Sequence, residues 1–221
     1  MTYHLAFSAS FFPTVPIFRS ILRTVASQAS QVIYAPSEEP PRGVKSVFLA
    51  GTTNKVDTAD WREILSSSLS RHPITIYNTY RVDWDSTWRE EVNFAPYREQ
   101  VLWELDKQAK ADLMVVYFHP ATQAPVSLLE FGLLAGVPGK VIAVCPEGYW
   151  KRGNVQIVSQ KLGVEFLDDI DKLEGAIVKK LFPLSQLWYY GYYSCSIQCA
   201  QQQHLSLAEL STEPGDLLGC L

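Results

Sequence analysis

Apolar residues through the middle of the chain fall into two alternating patterns. Val47-Phe-Leu-Ala50, Ile74-Thr-Ile-Tyr77, Leu113-Met-Val-Val-Tyr-Phe118, Lys140 to Cys145 and Val164-Glu-Phe-Leu167 are short runs that read as strands. Most are apolar at successive positions, as strands buried on both faces are. Between them the apolar residues recur at helical spacing. Trp61, Ile64, Leu65 and Leu69 mark a helix over Asp57–Arg71, with Asp57 or Thr58 as its cap and Asp60 and Glu63 near its positive end. Pro96 opens a second helix through Val101, Leu102, Leu105 and Ala109. Further helices are predicted over Val126–Ala135, Val155–Leu162 and Asp169–Leu181.

Five strands alternating with helices define an α/β protein with a parallel sheet covered on both faces. Right-handed crossovers make that sheet doubly wound and open. Ligands in such sheets bind outside the carboxyl ends of the strands, where the strand order reverses. The residues just after Ala50, Tyr77, Phe118 and Cys145 are therefore expected around one cleft.

Composition adds limits. With 47% apolar and 19% charged residues the chain is globular. A net charge of −4 argues against a dedicated binder of nucleic-acid polymers, which would normally show a basic face. The longest apolar runs fall short of the roughly 18 residues of a transmembrane helix, so no membrane partner is expected. Charge is spread unevenly: residues 44–182 hold 16 basic and 18 acidic side chains, whereas 183–221 hold no Lys or Arg and three of the four cysteines. Three segments follow: an N-terminal extension with a Pro-rich linker over 1–43, expected to be flexible; a domain over 44–182; and an aromatic, Cys- and Gln-containing tail over 183–221. The extension is acid-free up to Ser37 and carries Arg19 and Arg23, with Ile17, Phe18, Ile21, Leu22 and Val25 at helical spacing. A cytoplasmic location is expected, with a mitochondrial transit segment as the alternative. The Cys195, Cys199 and His204 spacing, with Cys220, is not that of a known zinc module, so no metal is expected. Neither G-x-G-x-x-G nor G-x-x-x-x-G-K occurs, which leaves no cradle for a nucleotide cofactor.

The expected strand ends carry the candidate chemistry. Gly51-Thr-Thr-Asn54 lets backbone amides approach a polar ligand, and equally suits a loop leading to a helix cap. Asn78-Thr-Tyr-Arg-Val-Asp-Trp-Asp-Ser-Thr-Trp88 is too long for a simple connector. Its aromatic residues can stack on a nucleobase, and Asn78, Arg81 and Asp85 can read edges and hydroxyls. They can also just pin the loop. Glu130 is the only charged residue between His119 and Pro138. A carboxylate among apolar neighbours is desolvated and its pKa rises, which suits a nucleophile or an acid–base group. Ser127-x-x-Glu130 also fits a capping box, in which case Glu130→Gln would lower stability. Asp112, before the third strand, reads as a turn residue or a second carboxylate.

Phe48-Leu-Ala-Gly51, Asp60-Trp61, Asn78…Arg81…Trp84-Asp85, Gln100-Val-Leu-Trp-Glu104, Ala111-Asp112, Leu128-Leu-Glu-Phe-Gly132 and Cys145-Pro-Glu-Gly-Tyr-Trp-Lys-Arg-Gly-Asn-Val155 occur in that order. Together they resemble the nucleoside 2-deoxyribosyltransferase-like family, over about residues 44–168. The resemblance implies a flavodoxin-like, three-layer fold with a five-stranded sheet of order 2-1-3-4-5, in a homo-oligomer. It implies a nucleophilic glutamate at Glu130 that attacks the anomeric carbon, releases the base and passes the sugar to a second base. Asp112 would protonate or hold the leaving base, Gly51 and Thr52 would line the pocket, and Asn154 would meet the sugar's hydroxymethyl group. The implied partners are a nucleoside or nucleotide and a free nucleobase. Ala124 stands where the transferases carry an aspartate six residues before the nucleophile, so water as acceptor stays open. So does a non-catalytic nucleoside- or nucleotide-binding module of the same fold.

Overall fold

A computed structural model describes residues 29–51 and 60–183. The chain divides into two compact units, Met1–Glu174 and Gly175–Leu221, the second described only over 175–183. The N-terminal amphipathic segment, Thr52 to Asn54, the cap candidates Asp57 and Thr58, and the Cys/His tail all lie outside the described residues.

The strands are β1 (Gln31–Tyr34), β2 (Lys45–Gly51), β3 (Ile74–Asn78), β4 (Leu113–Tyr117), β5 (Val141–Val144) and β6 (Glu165–Leu167). The helices among the described residues are α1 (Trp61–Ser68), α2 (Ala95–Lys110), α3 (Pro125–Leu134), α4 (Arg152–Leu162) and α5 (Leu173–Leu181). All strand pairs are parallel, in the order β1-β3-β2-β4-β5-β6. The expected five-stranded sheet is thus corrected to six strands, with a different order. The additional strand, β1, lies in the segment expected to be flexible and pairs with β3 at the sheet edge. Within the sheet the other strands run β3-β2-β4-β5-β6, and the architecture is consistent with a flavodoxin-like fold.

Residues alternate between the two faces of each strand. Phe48 and Ala50 of β2, Tyr77 of β3, and Met114 and Val116 of β4 form one core with Trp103 of α2, Phe131 of α3 and Val155 of α4. Val47, Leu49, Ile76 and Val115 occupy the alternate positions and are equally buried. From β2 the chain steps outward through α1 to β3, then returns past β2 through α2 to β4. With right-handed crossovers, α1 and α2 cover opposite faces. The order reverses between β2 and β4, whose carboxyl ends meet at the pair Gly51–Tyr117.

Segment 35–44 holds no helix or strand, as its prolines predict, yet it is tied down. Trp103 Nε1 donates to the Ser37 carbonyl at 2.8 Å, and Lys107 Nζ reaches Glu38 at 2.6 Å. Gln31 accepts from the Arg42 amide and donates to the Pro40 carbonyl. This strap fastens β1 to one side of α2.

Candidate active site

Helix α1 begins at the far side of 52–59. Its N-cap is Asp60, whose Oδ1 accepts from the Arg62 amide, in place of the expected Asp57 or Thr58. The Asp60 carboxylate also holds the Arg62 guanidinium at 3.1 and 3.3 Å. Arg62, 1% exposed, extends over the Trp61 ring and donates to the Gly51 carbonyl at 3.2 Å. Gly51 has φ +147, and a Cβ there would lie 2.8 Å from the Tyr117 carbonyl oxygen. Only glycine lets β2 end this close to β4.

Helix α3 starts one residue earlier than predicted, at Pro125, with Ala124 as N-cap in the left-handed region at φ 44. Tyr149 Oη and Trp150 Nε1 both donate to the Gln123 carbonyl, at 2.8 and 3.1 Å, and fix the entry to the helix. Ser127 is then inside the first turn and no side chain caps α3. The capping box is not formed. Glu130 sits a turn further on, 7% exposed, and its carboxylate makes no hydrogen bond or ion pair among the described residues.

Burial is the main reason the Glu130 pKa is pushed up to about 8; the negative charge of Glu104 adds to it and the Arg62 guanidinium opposes it. Glu104, on α2, is raised for the same first reason, against a hydrogen bond from Gln100 and the charge of Arg62. Arg62 is itself lowered by burial, an effect that the charge and hydrogen bonds of Asp60, then the charges of Glu104 and Glu130, partly offset. The partly buried Glu104 thus acts on the buried Glu130, beside one buried guanidinium. Interacting carboxyl groups of this kind titrate as a pair.

The other predicted residues divide. Gly51 joins this group through Arg62. Asn78, at the end of β3, is fully buried; its Oδ1 accepts from the Tyr80 amide at 2.9 Å and its amide lies 3.4 Å from Glu63. Arg81 pins the long loop: it pairs with Asp83 and Glu99, both at 2.8 Å, and stacks on Trp88. Trp84 is 44% exposed and packs against Trp88 and Tyr97. Asp85 accepts from the Thr87 amide and hydroxyl, both at 2.8 Å, and shapes a turn. Asn154 is exposed in the first turn of α4, which begins at Arg152, earlier than the predicted Val155. Thr52 lies outside the described residues.

Asp112 lies apart from this group. It precedes the amino end of β4, and Glu130 follows the carboxyl end, so the sheet separates them. Lys45 Nζ at 3.0 Å and the Ser46 amide and hydroxyl at 2.8 and 2.9 Å hold its carboxylate. Burial raises its pKa, and these hydrogen bonds outweigh burial and leave it lowered. The residue instead ties the amino ends of β2 and β4. The second carboxylate at the site is Glu104. Its spacing from Gln100 on one helix face was a signal, but α2 has apolar residues at Leu102 and Leu105 that are exposed, which hid the face that points inward.

At the switch point of this three-layer α/β sheet, Arg62 is bonded to the Gly51 carbonyl and lies in the field of Glu104 and Glu130, which makes the group a candidate site. Residues 44–149 match the family described as nucleoside 2-deoxyribosyltransferase like, which bears out the resemblance. No curated protein matches the chain in sequence. Every member of the Arg62, Glu104 and Glu130 group lies within the matched residues, whereas β1 and the strap precede them. No helix among the described residues is long and apolar enough to cross a membrane, and no cluster of His, Cys, Asp and Glu there suits a metal.

Proposed function

We propose that the protein transfers the sugar of a (deoxy)nucleoside or nucleotide through a glycosyl ester on Glu130. The observation that carries this reading is a buried carboxyl group with no capping duty, coupled to a second carboxyl group beside Arg62. In the first step a Glu130 oxygen bonds to the anomeric carbon and the N-glycosidic bond breaks, its electron pair going to the base nitrogen. The proton held by the carboxyl pair passes to the leaving base. In the second step a nitrogen of another base, or water, attacks the same carbon and releases Glu130, and the acceptor's proton returns to the carboxyl pair; two inversions give net retention. Glu104 relays that proton from Glu130 to the base once substrate is bound, the part that Asp112 was expected to play. Arg62 limits the charge of the pair.

The long loop supports the base-binding part of the reading: Trp84 offers a half-exposed ring that Trp88 and Tyr97 back up, and Arg81 holds the loop on α2. Gly51, Thr52, Asn78, Asp85 and Asn154 remain proposed substrate contacts or supports of them. Self-association is also proposed. Val126, Leu129 and Leu133 give α3 an uncharged, exposed apolar stripe, and sedimentation velocity tests it.

Incubation with a panel of deoxynucleosides and nucleotides plus a second free base, followed by chromatography, tests the reaction. Base exchange or release is expected, and Glu130→Gln abolishes it. No exchange and no release over the panel overturns the proposal.

A further inference from the structure

Glu104 has a neighbour that is not explained by packing. Gln100 precedes it by one turn of α2 and is 4% exposed. Its Nε2 donates to Glu104 Oε1 at 2.8 Å and to the Thr79 carbonyl at 3.0 Å. Both amide protons are thereby used, and both partners are acceptors. The reversed amide would set its oxygen against two other oxygens, so the orientation is fixed. The cost is visible at the other end: Gln100 Oε1 is buried without a hydrogen-bond partner. A buried polar atom left unsatisfied in this way needs a reason.

We propose that Gln100 is the positioning residue of the carboxyl pair: its amide anchors the Glu104 carboxylate to the end of β3 and keeps the pair's proton away from Glu104 until substrate takes it. This deepens the glycosyl-transfer reading and rests on it for the catalytic consequence. A neutral amide suits the task. A lysine at 100 would hold Glu104 as firmly, but would cancel the negative charge that acts on Glu130. An apolar residue would leave Glu104 free to turn and its ionised form less favoured. The Thr79 carbonyl is the fixed point, because Thr79 directly follows β3 and its hydroxyl lies 3.4 Å from the Leu49 carbonyl of β2. Arg62 with its partner Asp60 from the start of α1, Glu130 from α3, and Tyr97 one turn before Gln100 are the other titratable or charged groups whose fields involve Glu104.

Gln100→Met keeps the length and removes both donors. A donor to ionised Glu104 favours every state in which that group is charged. Its loss raises the step from doubly to singly protonated pair and leaves the second step nearly unchanged. The acid limb of the kcat profile should therefore move up by about one pH unit, with the alkaline limb in place and KM little altered. A profile of unchanged shape and lower amplitude overturns the proposal, since a packing defect alone gives that result. Two readouts do not need turnover. Difference infrared spectroscopy of the free protein, with Glu104→Gln to assign the band, should show Glu104 titrating at higher pH in Gln100→Met. In the unmodified protein, the 15N-resolved side-chain amide protons of Gln100 should shift with pH as Glu104 titrates, and invariant shifts overturn the proposal even if the variant fails to fold. Absence of turnover with a normal infrared shift would refute the glycosyl-transfer reading and leave the anchoring role standing.

Discussion

Glu130→Gln removes an ionisation and changes the shape of the side chain very little. In the unfolded chain Glu130 ionises near the ordinary 4.5; in the folded protein burial and Glu104 hold it at about 8. Between those two pH values the folded protein keeps a proton that the unfolded chain releases. Ionisation therefore favours unfolding, by nothing at low pH and by about 1.4 kcal/mol for each pH unit above the unfolded pKa, levelling off above the folded pKa. At neutral pH the handicap is about 3 kcal/mol. Glutamine does not carry it, although its unmet amide donors cost about 1 kcal/mol. The variant should be more stable than the parent by about 2 kcal/mol near pH 7, a rise in Tm of roughly 4–8 °C. Near pH 4.5 the advantage should vanish or reverse. Urea unfolding of both proteins across that range reads the difference directly. A variant weaker by the same amount at every pH would refute the reasoning, and would point back to a capping role that the Ala124 start of α3 excludes.

Other perturbations separate the remaining parts. Asp112→Asn should leave turnover intact and lower stability by about 1 kcal/mol through weakened bonds to Lys45 and Ser46; a large fall in kcat with an unchanged denaturation midpoint would return Asp112 to the site. Ala124→Gly should stabilise by about 0.5 kcal/mol, because relief at φ 44 slightly exceeds the added freedom of the unfolded chain; the urea midpoint measures it, and a decrease would contradict the left-handed start. Removing residues 1–43, which leaves the matched family region whole, should lower Tm and promote aggregation by stripping β1 and exposing the β3 edge. Thermal melts with light scattering check this, and an unchanged melt would show that the strap is dispensable.

Much of the fold was legible because buried parallel strands are written as uninterrupted apolar runs, and five of them stand out. β1 was not. Gln31-Val-Ile-Tyr34 is four residues long, half polar in its surroundings and followed at once by prolines. Its evidence is its partner, β3, and no local pattern records a partner. The site shows the same division. Glu130 was visible as a lone charge in an apolar stretch, since desolvation can be read from neighbours in sequence. Arg62 and Glu104 were not, because each sits on a helix with many charges, and only the fold turns these two inward. The place of Asp112 was hidden for a related reason: adjacency to a strand does not say which end of the sheet the residue occupies, and ligands in such sheets bind at the carboxyl ends.

Helix α2 joins the matched domain to the part of the chain outside the match. Along one face, Gln100, Trp103, Glu104 and Lys107 follow at intervals of three and one, all buried except the partly exposed Glu104. Two of these residues, Trp103 and Lys107, bind the strap at Ser37 and Glu38, and the other two form the Thr79–Gln100–Glu104 chain. A shift of α2 along its axis would break both sets together, because all four residues move with one rigid element. The strap therefore restrains the register on which the Glu104–Glu130 coupling depends, although no strap residue belongs to the site. Truncation at residue 44 should then raise the acid limb of the pH profile as Gln100→Met does, in addition to lowering Tm. An intact profile in a truncated protein that still folds would mean that β3 and the Arg81–Glu99 pair hold α2 in register without the strap.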